Sequence, residues 1–196
     1  MLGGSQASER GMLVKAVTAA VGAHCAAVGC GLALALRPPL EKPARGNEDP
    51  AVAVDPDRLS RVEKTLSAMY TAGKSGPLCR DQFQEICTFE DPAASCEGFE
   101  EIAEAFRALA FLNPEPISRR LASAEEPDLM TFDSRQRYII AGRPIELVST
   151  LVVRADDTGR LSSIQELWHH HPLLPPLSLT RRLNGIVSFQ LTKRLL

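Results

Sequence analysis

Read for the spacing of its apolar positions, the chain divides into four stretches of different character. Residues 1–37 contain a run from Ala16 to Leu36 in which His24 is the one strongly polar side chain. Residues 38–54 keep no apolar period and mix prolines with Gly46, Asn47 and several charges, which reads as a linker. Residues 55–172 carry clear helical and strand periods and form the folded domain. Residues 173–196 are a basic, apolar tail.

Within the domain, Asp55 and Pro56 form a helix start, a capping carboxylate before a proline at the first helical position. Leu59, Val62, Leu66, Met69 and Tyr70 then recur at helical spacing, and Gly73, Gly76 and Pro77 stop the helix. Phe83 and Ile86 predict a second short helix that leads into a strand at about Cys87–Asp91. A further helix is predicted from Phe99 to Phe111, with Phe99, Ile102, Phe106 and Leu109 on one face and Glu100, Glu101, Glu104 and Arg107 on the other. Asn113, Pro114 and Pro116 end it.

Everything from Ile117 to His169 reads as strand. Asp133–Gln136 is expected as a polar turn before a strand at Arg137–Ile140. Gly142–Pro144 separates that strand from Glu146–Val153, and Asp156–Gly159 is a tight hairpin loop before a last strand, Leu161–Trp168. Helices first and an antiparallel meander after them predict an α+β domain, its sheet curling round a helix and open at one end.

Charge and cysteine content narrow the function. Lys and Arg number 22 against 24 Asp and Glu, so no global field draws the chain to nucleic acid, and no aromatic-and-basic pattern offers a surface for it. The five cysteines are odd in number and irregular in spacing, which predicts buried thiols rather than a disulfide framework or a zinc site. At about 1.5 Å per residue, segment 16–36 reaches roughly the ~30 Å of a bilayer's hydrocarbon core. It is expected to be a single-pass membrane anchor, with a cleaved signal or organelle transit peptide, or a soluble core helix, as alternatives. The tail either packs back on the domain or lies on the same membrane.

Two passages carry a resemblance. Thr88–Pro92, followed by Gly98–Ile102 and Phe106, resembles the strand-to-helix passage of NTF2-like (SnoaL-like) proteins, a superfamily that includes ketosteroid isomerases, polyketide cyclases and scytalone dehydratase. The hairpin Arg154–Arg160 followed by Ile164–Trp168 resembles its last two strands. The resemblance implies a cone fold with a pocket. Against ketosteroid isomerase it puts the general base on Asp91, a helix-borne oxyanion donor on Tyr70 and a pocket tryptophan on Trp168. The second oxyanion donor falls on Leu151 and a helix tyrosine on Arg107, so ketosteroid isomerisation itself is not expected.

Alternation puts Cys87, Phe89 and Asp91 on one face of their strand, and Ile164, Glu166 and Trp168 on one face of theirs. Asp91 among apolar neighbours would lose hydration and become a base near neutral pH, with Tyr70 facing it; the alternative is an Asp-Pro turn that caps the following backbone. Phe89, Phe106, Glu166, Trp168 and Leu151 are the expected ligand contacts. His169, His170 and His171 alternate too fast to converge on one ion, and neither a metal nor a cofactor is expected. Three function classes follow: a membrane-associated module binding a small apolar molecule or a protein partner, a lyase or isomerase using Asp91 and Tyr70, and a dimerisation scaffold working through its outer sheet face.

Overall fold

The computed structural model describes residues 33, 38–40, 53–71, 78–140 and 142–195. The apolar segment 16–36, apart from Ala33, and most of the linker lie outside them, as do Cys25 and Cys30. Among the described residues no helix is long and apolar enough to cross a membrane.

Helix α1 (Pro56–Tyr70) starts where Asp55 accepts the backbone N–H of Asp57 at 3.1 Å, with proline in the first turn. Its stripe of Val62, Leu66, Met69 and Tyr70 is almost fully buried. Arg58, on the same helix, ties it to the sheet by donating to the carbonyls of Pro127 and, at 2.6 Å, Ala155. Strand β1 (Phe83–Glu90) follows a single 3-10 turn at Arg80–Gln82. The expected short helix at Phe83 and Ile86 is therefore strand. Phe83 is buried while Ile86 is 83% exposed. An irregularity in the pairing with β6, between Phe83 and Thr88, breaks the alternation and produced a helix-like spacing.

A short β2 (Ser95–Glu97) folds back on β1, and α2 (Phe99–Leu109) continues into a 3-10 turn at Ala110–Leu112. Strands β3 (Glu115–Glu126), β4 (Leu129–Ile140), β5 (Arg143–Ala155) and β6 (Leu161–Trp168) form the predicted antiparallel meander. The sheet order is β2-β1-β6-β5-β4-β3, and β1 runs parallel to β6, so the sheet is mixed rather than wholly antiparallel. The Asp156 hairpin forms as expected: its carboxylate accepts the N–H groups of Thr158 and Arg160, and Gly159 takes a φ of 81°.

The expected turn at Asp133–Gln136 is instead the middle of β4. Asp133, Arg135 and Arg137 point outward and pair with Arg120, Glu146 and Glu115. Ser134, Gln136 and Tyr138 point inward and are buried. This stretch is polar on both faces because one meets water and the other meets the interior of the cone.

Helix α3 (Ser178–Leu195) settles the fate of the tail, which packs on the domain. Arg182 bonds Glu101 at 2.6 and 3.1 Å, and Asn184 donates to the Ala93 carbonyl at 2.8 Å. The three histidines do not extend β6: His169 and His170 turn with φ of 53° and 64°, and Thr150 Oγ1 meets His170 Nδ1 at 2.7 Å.

Candidate functional site

The concave face of the sheet, α1 and α2 enclose a cavity of about 310 Å³. Most of its wall is apolar, from Phe89, Phe106, Leu109, Ile145, Leu147 and alanines of the β1–β2 turn and α2, with Leu112 at the end of the helix. Phe106 braces the aromatic side: its ring meets Tyr70 edge-on at 5.2 Å and Phe89 at 4.9 Å. An apolar enclosure of this kind excludes water and strengthens the few charges facing it.

Those charges are two carboxyls. Asp91 follows β1 and is held by the turn it begins: Oδ1 accepts the backbone N–H groups of Ala93 at 2.7 Å and Ala94 at 2.6 Å. The turn-capping and pocket alternatives thus describe the same side chain, since the surface Asp91 retains belongs to the cavity wall. Burial, then the nearby charge of Glu166, push its pKa up to about 7, against the opposing backbone donors and Arg181. At neutral pH such a carboxyl is about half ionised and exchanges its proton readily.

Glu166, on β6, is 3% exposed and deeper. Its Oε2 accepts the Tyr70 hydroxyl at 2.7 Å and its Oε1 the Ser149 hydroxyl at 2.8 Å. Burial raises its pKa; the two hydroxyls and, less strongly, the charge of Arg119 oppose the rise by favouring the ionised form. The Trp168 indole N–H is buried and stays outside hydrogen-bond geometry. The guanidinium of Arg119 lies 5.0 Å from the Tyr70 ring centroid, the cation nearest this group of side chains on the β3 side.

Of the residues read from the sequence, Tyr70, Phe89, Asp91, Phe106, Glu166 and Trp168 all line the cavity. Tyr70, expected to face Asp91, commits its hydroxyl to Glu166 instead. Leu151 lies opposite Glu166 in the β5–β6 pairing but is fully buried in the packed core and does not line the cavity.

Sequence reasoning missed Ser149, Tyr138, Arg119 and Ser188 of α3. One signal was present for Tyr138: charges at Asp133, Arg135 and Arg137 alternate with uncharged groups at Ser134, Gln136 and Tyr138, the signature of a strand with a polar interior face. Tyr138 donates to Gln136 within that row, while Ser134 Oγ and Gln136 Nε2 are buried without a protein partner. Among the described residues no group of His, Cys, Asp or Glu is placed to hold a metal ion.

No protein-family model matches the sequence, and no curated protein matches it. Solved structures do. An NTF2-like protein from Anabaena variabilis ATCC 29413 superposes with a TM-score of 0.50 at 17% identity, over 60% of this chain and 94% of that one. The epoxide hydrolase/cyclase-like enzyme SalBIII aligns at 14% identity and a TM-score of 0.46, over 57% of this chain and 89% of its own. A protein of ketosteroid isomerase-like fold from Catenulispora acidiphila DSM 44928, in complex with trimethylamine, aligns at 15% and 0.44, over 61% and 91%. The fold of this chain is the NTF2-like cone. At these identities the likeness establishes the fold, and the activity has to be argued from the cavity itself.

Proposed function

We propose that the cone binds a small, mostly apolar molecule bearing one polar group, and that Asp91 exchanges a proton with it in a lyase or isomerase reaction. One observation carries this: a carboxyl fixed by two backbone N–H groups forms part of a mostly apolar wall, with a second buried carboxyl near enough to raise its proton affinity. As the carboxylate, Asp91 takes a proton from carbon beside a carbonyl or from a carbon adjoining a leaving hydroxyl. As the acid it returns that proton, in an isomerisation to another carbon of the enolate, and in an elimination to the departing hydroxyl, which leaves as water while the C–H electron pair becomes the new double bond. Glu166 tunes this group and does not replace it, because both of its oxygens are held by hydroxyls.

The test is solvent-deuterium incorporation into a panel of cyclic enolisable ketones, followed by NMR. Incorporation that rises with pH through about 7 and is lost in Asp91→Asn is the expected result. Saturable binding with no incorporation would leave a binding protein. That second reading is favoured by the Tyr70 hydroxyl, which is committed to Glu166 and so withheld from a substrate oxygen.

Two further expectations stand as proposals. Anchoring through residues 16–36 rests on their composition and is tested by flotation of the full chain with lipid vesicles. Self-association through the outer sheet face would meet the ion pairs of Arg135 and Arg137 with Glu146, so a dimer held there should weaken as salt rises, which sedimentation detects.

A further inference from the structure

The C-terminal helix touches the turn that carries Asp91 at several points. Asn184, itself 4% exposed, donates to the Ala93 carbonyl at 2.8 Å, between the two N–H groups that hold Asp91 Oδ1. One residue on, Gly185 is pressed against the same turn's exit. A Cβ added there would sit 2.1 Å from the Ser95 carbonyl oxygen and 3.5 Å from Cys96 Sγ, so the helix backbone rests directly on β2. Arg182 clamps the outer side through Glu101, Glu97 and the Ser95 carbonyl. One helical turn beyond Asn184, Ser188 forms part of the cavity wall.

We propose that α3 is a working part of the cavity: Asn184 is a positioning residue for Asp91, and Gly185 seats the helix closely enough for Ser188 to complete the wall. This rests on the reading of Asp91 as the proton-transfer group. The arrangement couples two things a base needs, a fixed direction and exclusion of water. Asn184 fixes the carbonyl of the residue whose N–H aims Asp91, and the seated helix keeps solvent from the carboxyl. The other charged or titratable groups acting on Asp91 and its turn are Glu166 on β6, Tyr138 on β4, Cys96 on β2 and Arg181 on α3. Lifting α3 thus withdraws Arg181, which lowers the Asp91 pKa, together with the cover that raises it. Burial is the largest cause of the shift, so hydration governs the outcome.

The experiment uses the full chain, with Gly185→Ala as a wedge, Asn184→Ala to remove the bond to the Ala93 carbonyl, and Leu179→Ala, at a position 69% exposed on α3, as the control. Amide hydrogen exchange at Ala93 and Ala94 and carboxyl-carbon NMR titration of Asp91 are both read. In the wedge and in Asn184→Ala, exchange at the two alanines should quicken by about tenfold or more. Asp91 should titrate at least about one pH unit lower, toward the model-peptide ~3.9. The control should change neither. Should Gly185→Ala not fold, Asn184→Ala carries the test. Wild-type exchange and titration in Asn184→Ala would overturn the proposal. A wild-type Asp91 that titrates near its ordinary value would instead sink the proton-transfer reading, and the exchange rates alone would then decide whether α3 holds the turn.

Discussion

Removing the charge of Asp91 should make the protein more stable, by an amount that sets in above about pH 4 and levels off above about pH 7. In the unfolded chain Asp91 titrates near 3.8; in the folded protein burial and Glu166 bring it to about 7. Between those values the folded state keeps a proton that the unfolded state has released, so stability is full below the lower value and falls as pH rises through the upper one. The full shift corresponds to at most about 4 kcal/mol. Asp91 is only partly buried by its own surface, so its desolvation is incomplete, which reduces the expectation to about 2–3 kcal/mol.

Asp91→Asn keeps an oxygen for the Ala93 and Ala94 N–H groups and cannot ionise, so it escapes that loss. Urea denaturation at pH 4, 6 and 8 should show near-equal stability at pH 4 and a variant more stable by about 2–3 kcal/mol at pH 8. Titrations common to both proteins, such as the Asp156 hairpin carboxylate held at about 2, cancel in the difference. A difference independent of pH, or a variant weaker at pH 8, would refute a desolvated Asp91.

Three other perturbations probe the surroundings. Glu166→Gln removes the second-largest cause of the Asp91 shift, so Asp91 should titrate below about 7 by NMR; an unmoved titration means the two carboxyls do not interact. Tyr70→Phe strips a buried hydroxyl from Glu166 and should cost about 1.5–3 kcal/mol in urea denaturation, the range for hydrogen bonds to charged groups. Gly159→Ala combines a φ of 81° with a Cβ placed 3.1 Å from that of Arg61, and a thermal melt should show a loss of about 1–2 kcal/mol.

Where one face of an element meets apolar core and the other meets water, the pattern of residues was enough. The α1 stripe, the amphipathic α2 and the Asp156 hairpin follow from spacing and capping alone, and alternation on β6 put Glu166 beside Trp168. Long-range pairing was not legible, because nothing local in Phe83–Glu90 announces that its neighbour in the sheet is β6, running parallel. Nor was the seat of α3. Its apolar residues are scattered because it is held by Asn184, Gly185 and Arg182 rather than by one greasy stripe.

The most instructive miss is β4. Solvent-facing Asp133, Arg135 and Arg137 and interior Ser134, Gln136 and Tyr138 together read as a turn, because a polar run is the ordinary mark of one. A strand whose buried face is polar bears the cost of dehydrating those groups, and a core built only for stability would replace them with apolar side chains of the same size. The row they join runs across the sheet in register, Arg119 beside Ser134, Ser134 beside Ser149, Ser149 beside Trp168. Ser149 links that row to Glu166 through its hydroxyl, and the charge of Glu166 raises the proton affinity of Asp91. Local pattern and fold disagree at β4 because its buried face is polar, and Tyr138 of that face lines the cavity; under the proposed function such a disagreement is expected, since a site can override packing.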